Sequence, residues 1–316
     1  MIRYILKRLL LMLPVLIGVT IMIFTIMYFT PGDPATNILG SNATPEQIEA
    51  KKEELGLNAP YPVRLGNYMK DVFFHFDFGH SYINGRSVSE DILSRYPATF
   101  TVAFLSIALA LCIGVPLGVI AATHQNRIGD YVAMLISLFG VSMPNFWVGL
   151  MLVILFALNL GWLPGTGIGG PKYYILPCIA CALNGIASLA RQTRSSMLEV
   201  IRSDYIVTAR SKGQTERKVI YRHALTNALI PVVTSAAGAF GSLLGGALVI
   251  ETVFAIPGLG TYMVSAINNR DYPAIQGSVF FVALTFSLVM LLVDLIYAFI
   301  DPRIKAQYQG KVRIKK

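Results

Sequence analysis

Long apolar stretches separated by short polar segments dominate this chain. Residues 9–29 contain no charged side chain, and at about 1.5 Å of helix rise per residue they reach about 30 Å, the thickness of a bilayer's hydrocarbon core. Four more windows contain no Asp, Glu, Lys or Arg, and a sixth contains only Asp294; these windows are residues 96–126, 131–171, 173–190, 223–250 and 276–300. The pattern predicts an all-α integral membrane protein with six transmembrane helices.

The composition agrees with a protein solvated by lipid. Charged residues make up 14% of the chain and hydrophobic residues 54%, whereas soluble domains carry about 25% charged residues. A net charge of +9 would also suit a nucleic-acid-binding protein, but the basic residues lie between the apolar windows. No nucleic-acid partner is therefore expected.

The positions of Lys and Arg predict the orientation of the helices. Most of the 26 basic residues lie before residue 9, within residues 191–222 or after residue 302. Because cytoplasmic segments of membrane proteins retain positive charge, both termini are expected in the cytoplasm. The first span is expected to be retained, since its apolar run is too long for a signal peptide.

These expectations divide the chain into four parts. Residues 1–29 form the cytoplasmic N-terminus and first helix, and residues 30–98 an extracytoplasmic segment. Residues 99–300 form the core transmembrane domain of five helices with a cytoplasmic loop at 191–228, and residues 301–316 a basic cytoplasmic tail. Within the extracytoplasmic segment, Thr44 as cap and Pro45 at the first helical position predict a helix that ends near Gly56.

The polar stretch at residues 191–231 is patterned for helix yet too polar to enter lipid. Apolar positions recur at helical spacing up to Thr208, Gly213 interrupts the pattern, and Thr215 with Glu216 marks a new helix start. Two interpretations remain open from this pattern. The stretch is an amphipathic surface that lies on anionic lipid, or it is a hinged helix pair that docks on another protein.

Specific residues in this stretch resemble a known signature. Residues 205–213 read Tyr-Ile-Val-Thr-Ala-Arg-Ser-Lys-Gly, and residues 222–231 read Arg-His-Ala-Leu-Thr-Asn-Ala-Leu-Ile-Pro. They resemble the cytoplasmic signature of binding-protein-dependent ABC importer permeases, above all the B-type subunit of the dipeptide and oligopeptide subfamily. That family's loop begins Glu-Ala-Ala and reaches Gly four residues later; here Val207 replaces the Glu, while Ala209 and Gly213 are kept.

The resemblance extends over essentially the whole chain. The other matching segments are residues 30–34, 160–164, 256–260, 270–273, 276–277 and 301–304. It implies that residues 205–222 form a coupling helix, which sits in a groove of a separate ATPase subunit. The implied contact residues are Tyr205, Val207, Thr208, Ala209, Arg210, Lys212 and Gly213.

The resemblance also implies an assembly in the cytoplasmic membrane of a prokaryote. Its parts would be a second, similar permease, two ATP-binding subunits that hold ATP and Mg²⁺, and an extracytoplasmic binding protein that delivers peptide. Substrate would cross by alternating access, and this chain would bind no cofactor itself. The side chains expected along the path, with Glu251 facing an external vestibule, are Ser142, Asn145, Thr234, Ser235, Ser242 and Glu251.

The sequence offers little for an enzymatic function. The nearest approach to a phosphate-binding loop has Pro171 where Lys is required, and the four histidines have no metal-ligand spacing. Cys178 and Cys181 lie among apolar neighbours and are expected to pack there. The open alternatives are import of nickel, a metal chelate or glutathione by the same machinery, a membrane-embedded enzyme, and an ion-coupled carrier.

Overall fold

The computed structural model describes residues 2–40 and 42–300, and the expected basic tail, with its matching segment 301–304, lies outside them. The described part is helical and contains no strand, only one isolated bridge between His80 and Ser87. The helices are α1 Ile2–Phe29, α2 Pro34–Leu39, α3 Pro45–Glu54, α4 Tyr61–Lys70, α5 Val88–Thr123, α6 Ile128–Ser142, α7 Asn145–Leu152, α8 Lys172–Ile201, α9 Asp204–Ser211, α10 Glu216–Lys218, α11 Leu225–Gly246, α12 Leu248–Val253, α13 Leu259–Asn269 and α14 Tyr272–Ile300. Three π-helical segments, Asp71–His75, Val153–Asn159 and Val219–Ala224, extend α4, α7 and α10.

Five helices in the described residues are long and apolar enough to span a membrane. They are Ile5–Phe29, Val88–Thr123, Lys172–Ile201, Glu216–Gly245 and Tyr272–Leu295. A sixth candidate is a bent pair, Ile128–Ser142 with Asn145–Asn159, whose axes turn by 96°. The all-α membrane fold is confirmed, and the predicted count of six holds if this pair is one span.

The bend differs from the single helix expected in residues 131–171. Met143 is extended at φ −87° and ψ 127°, and Pro144 follows it. Proline lacks an amide hydrogen and disfavours helical geometry in the residue before it, so α6 ends here.

The chain divides into two compact units. The first, called the cap unit, comprises Leu6–Thr99 with Pro257–Leu288; the second, called the core unit, includes Phe100–Ile256. Residues 30–98, expected to form an extracytoplasmic segment, lie in the cap unit. Val72, Phe78, Val88 and Ile92 of this segment share a hydrophobic core with Leu16 of α1 and Phe280 of α14.

The structure confirms the start and end that the sequence predicted for α3, in the cap unit. Thr44 accepts a hydrogen bond from the amide of Gln47, whose side chain accepts one in return from the amide of Thr44, a reciprocal capping box. The helix ends at Glu54, just before Gly56, as predicted.

Helix α4 runs beside α1 in the cap unit. The hydroxyls of Thr25 and Tyr61 are 2.7 Å apart, and the ring of Tyr68 stacks on Phe24 with centroids 5.6 Å apart. One turn further, Phe73 meets the ring of Phe280 at 5.7 Å. The segment that follows α4 therefore packs against α14.

Small residues let the helices of the core unit approach closely. A Cβ on Gly118 would lie 2.5 Å from the Cβ of Thr193, and one on Gly114 would lie 2.8 Å from the carbonyl oxygen of Ile186. Both glycines are on α5 and face α8, as expected for helices packed in lipid. Gly238 and Gly245 on α11 differ, since a Cβ there would meet nothing within 4 Å.

Candidate functional site

The candidate coupling segment, residues 202–224, folds as a helix, a sharp turn and a second helix. Helix α9 ends at Ser211, and Gly213 adopts φ +72°, a conformation that favours glycine. Thr215 is extended and precedes α10, as predicted. The sequence did not predict the break at Ser203, where the backbone is extended and separates α8 from α9.

The inner face of this segment is anchored to the core unit. Ile206 is fully buried in a cluster with Met197 of α8 and with Val219 and Ile220, which follow the turn. The side-chain amide of Asn227 on α11 donates to the hydroxyl of Tyr205 at 3.1 Å. Helix α9 is thus tied to both α8 and α11, so a force on it reaches both helices.

The outer face carries most of the predicted contact residues. The exposed ones are Tyr205, Val207, Thr208, Arg210, Lys212 and Gly213. Ala209 is partly buried instead. Tyr205 and Val207 are 46% and 54% exposed, although they belong to a short polar helix outside the apolar windows. Exposed apolar side chains beside basic ones suit a protein docking surface better than a solvated loop.

A buried ion pair beside this segment was missed by sequence reasoning. The guanidinium of Arg194 on α8 donates to both carboxylate oxygens of Asp130 on α6, at 2.6 and 2.7 Å. The Asp130 side chain is 4% exposed and also accepts from the amide of Asn126 at 3.0 Å. The available signal was an acid and a base at the edges of two apolar windows.

Helix α11 has two contrasting faces. Its buried face packs Ala228, Val232, Ala236 and Phe240 at four-residue spacing. Its exposed face presents small or polar residues at spacings of three and four, namely Thr234, Gly238, Ser242 and Gly245. The structure therefore places two predicted path residues, Thr234 and Ser242, on one exposed stripe. Ser235 is partly buried beside it and donates to the carbonyl of Pro231 at 3.0 Å.

The other predicted path residues lie apart from this stripe. Ser142 is exposed at the bend and donates to the carbonyl of Leu138 at 2.8 Å, while Asn145 accepts from the side-chain amide of Asn184 at 3.5 Å. Glu251 does not face open space as expected. It lies in α12, a short helix packed against α7, and its side chain is fully buried.

Two family models together match almost the whole chain. A model described as "Binding-protein-dependent transport system inner membrane component" matches residues 114–306. A second, for the N-terminal part of such membrane components, matches residues 1–103.

Curated relatives agree with these matches. The dipeptide transport system permease protein DppB of Alkalihalophilus pseudofirmus is 45% identical, with 96% of this chain and 100% of that protein covered. The glutathione transport system permease protein GsiC of Salmonella typhimurium is 41% identical, with coverages of 96% and 99%. Among solved structures, an inward-facing MetNI methionine ABC transporter matches with a TM-score of 0.55 at 20% identity. That match covers 67% of this chain and 96% of the other, and it shows a shared fold.

Proposed function

Because the chain belongs to the family of binding-protein-dependent transport system inner membrane components and is an ABC importer permease of the peptide transport class, we propose that it imports dipeptides and oligopeptides by alternating access. The proposed assembly contains a second permease, two ATP-hydrolysing subunits and an extracytoplasmic binding protein. It sits in the cytoplasmic membrane of a prokaryote with both termini inside. ATP and Mg²⁺ belong to the partner subunits.

The architecture of residues 202–224 carries the proposal. An ATPase that closes on its nucleotide must push on a surface that does not yield. Helix α9 offers an exposed outer face, while buried Ile206 holds its inner face and the exposed hydroxyl of Tyr205 accepts from Asn227 on α11. A helix that only rested on lipid would need neither anchor. Docking is therefore favoured over the lipid-surface interpretation of the same stretch.

The exposed stripe of α11 is the proposed contribution of this subunit to the path. The hydroxyl of Thr234 already donates to the carbonyl of Ile230 within the helix, at 3.2 Å. Small uncharged side chains form a wall that gives passing peptides few strong contacts, which suits a route that has to release many sequences. Specificity would then rest mainly with the binding protein.

A di- or oligopeptide is preferred over a metal because of the relatives. The two compared above are named for a dipeptide and for glutathione, which is itself a tripeptide. The deciding experiment is to purify the cognate binding protein and identify its bound ligand by mass spectrometry. Peptides are expected; a bare metal ion or a chelate would overturn the choice of substrate.

Coupling is tested separately in the reconstituted four-subunit complex. Replacing Val207 by Asp puts a charge on the outer face without disturbing buried Ile206. We expect substrate-stimulated ATP hydrolysis to fall about tenfold or more, with subunit assembly unchanged. Val63→Asp is the control, since Val63 is similarly exposed in the cap unit. Equal stimulation in wild type and Val207→Asp would contradict the docking role.

A further inference from the structure

A cavity of about 330 Å³ lies within the cap unit. Aromatic rings form much of its wall, contributed by Phe24, Tyr28, Tyr68, Phe78, Tyr82 and Tyr272. Burial raises the pKa of Tyr82 to about 12, so its hydroxyl stays neutral at any physiological pH. A wall of neutral rings presents π faces, which attract organic cations.

The side chains of Tyr68 and Gln276 also line the cavity. Gln276 is 6% exposed and carries an amide that can both donate and accept hydrogen bonds. The hydroxyl of Tyr68 is inaccessible, so this residue presents its ring to the cavity.

Charged groups of both signs also border the cavity. Arg64 lies over the rings of Phe24 and Tyr28, 6.0 and 5.5 Å from their centroids, and donates to the carbonyl of Leu57 at 3.3 Å. It forms no ion pair in the described residues, unlike nearby Lys52, which is neutralised by Asp33 at 2.8 Å. The guanidinium therefore keeps donors for an anionic group.

Two carboxylates supply the opposite charge. Asp77 accepts from the amide of Gly79 at 2.8 Å, which holds one oxygen, and Oδ1 of Asp71 lies 3.7 Å from Nδ1 of His75. Together with the rings they form an environment for a primary ammonium, in which the cation meets a π face and a carboxylate.

We propose that this cavity binds a small zwitterion, with its ammonium toward Asp71 and Asp77 and its anionic group toward Arg64. The Gln276 amide, in the same wall, supplies a further hydrogen-bond donor and acceptor. Two sources carry this chemistry: a short free peptide and the phosphoethanolamine headgroup of a lipid. The site is inferred from the cavity alone and does not depend on the transport function proposed above.

The test uses the full permease–ATPase complex in nanodiscs of phosphatidylcholine and phosphatidylglycerol, without nucleotide or binding protein. Alanyl-alanine and glycerophosphoethanolamine are titrated separately by calorimetry. Arg64→Gln should weaken binding of the active probe about tenfold or more, and Asp77→Asn about threefold to tenfold. Arg86→Gln is the control, since Arg86 is exposed in the same unit and does not line the cavity.

The probes distinguish the sources. Binding of alanyl-alanine that N-acetylation abolishes identifies a peptide site, and binding of glycerophosphoethanolamine alone identifies a lipid headgroup site. Failure of both probes to bind, or equal binding in wild type, Arg64→Gln and Asp77→Asn, overturns the proposal. Asp77→Asn keeps the size of the side chain, so its effect is readable even if Arg64→Gln impairs assembly.

Discussion

Arg210 and Glu216 form a two-pronged ion pair across the turn at Gly213. The Nε atom of Arg210 lies 3.1 Å from Oε2 of Glu216, and its Nη2 atom lies 2.6 Å from Oε1. The two residues flank the glycine, so the pair closes the turn from outside. Both side chains are well exposed, at 39% and 60%, and such pairs contribute little to global stability. Their effect is to fix the angle between α9 and α10.

Glu216→Gln should therefore alter coupling and leave stability alone. The amide keeps the size of the side chain but loses the charge, so the turn is held less firmly. We expect substrate-stimulated ATP hydrolysis to fall about twofold to fivefold, with a change in unfolding free energy below about 1 kcal/mol. Glu199→Gln, on an exposed part of α8, is the matched control and should change neither ATP hydrolysis nor unfolding free energy. A large drop in melting temperature would show that the pair is structural.

The effect of a substitution at Gly213 on ATP hydrolysis should depend on the backbone conformation that the new residue tolerates, and not on side-chain size alone. A Cβ at this position meets nothing within 4 Å, so the cost comes from φ +72°. Asparagine tolerates this conformation and β-branched residues do not. Gly213→Asn should keep most substrate-stimulated ATP hydrolysis, and Gly213→Val should lose most of it. Gly66→Val, at an equally open site without positive φ, controls for the side chain; equal activity of the Asn and Val variants would contradict this reasoning.

Breaking the Asp130–Arg194 pair should destabilise the core unit. Arg194→Ala leaves a carboxylate that is 4% exposed without its cation, at a cost of about 3 kcal/mol. The double variant Asp130→Asn with Arg194→Gln removes both charges and should recover much of that loss. Thermal unfolding of the purified complex measures the stability of the single and the double variant. Equal loss in the single and double variants would mean that the charge pair is not the cause.

A bulky residue on the exposed stripe of α11 should obstruct transport without harming the subunit. Gly238 has open space around its Cβ position, so Gly238→Val should fold and assemble. Peptide uptake into proteoliposomes should fall about tenfold if this stripe lines the path. Gly18→Val on α1, where the space is also open, should transport normally. Normal uptake by Gly238→Val would remove this face from the path.

The segment after α4 should contact lipid. Phe73 and Phe76 line an apolar groove with residues from Leu6 to Leu16 of α1, and Phe74 is 81% exposed beside them. A cysteine at Phe74 should therefore resist a water-soluble thiol reagent but react with a lipid-soluble one. A cysteine at Ile83, exposed in the loop before α5, should react with both. Rapid labelling of both by the water-soluble reagent would place the segment in water.

Local chemistry predicted the features that depend on a few neighbouring residues. Thr44 and Pro45 start α3, and Gly213 breaks the coupling segment, because caps and left-handed turns are set within one turn of chain. Helix α8 was harder. The helical spacing up to Thr208 predicted an unbroken helix there, yet α8 ends at Ile201 and α9 begins at Asp204.

Contacts between residues far apart in the chain could not be predicted from local sequence patterns. Asp130 and Arg194 are 64 positions apart, and no local pattern pairs them. Glu251 was expected at a vestibule because a charge near a span end usually faces water, but packing of α12 against α7 buries it. The cavity wall likewise combines α1, α4 and α14, and only the tertiary fold brings these rings together.

The bend between α6 and α7 affects how many times the chain crosses the bilayer before it reaches Gly213. Each arm of the bent pair holds 15 residues and is thus about 22 Å long, too short to traverse the hydrocarbon alone. Arms that turn by 96°, each inclined equally to the bilayer normal, together climb about 30 Å. A chevron in that pose would make one full crossing. Four candidate crossings would then precede α9, an even number, as the proposed cytoplasmic position of both the N-terminus and Gly213 requires.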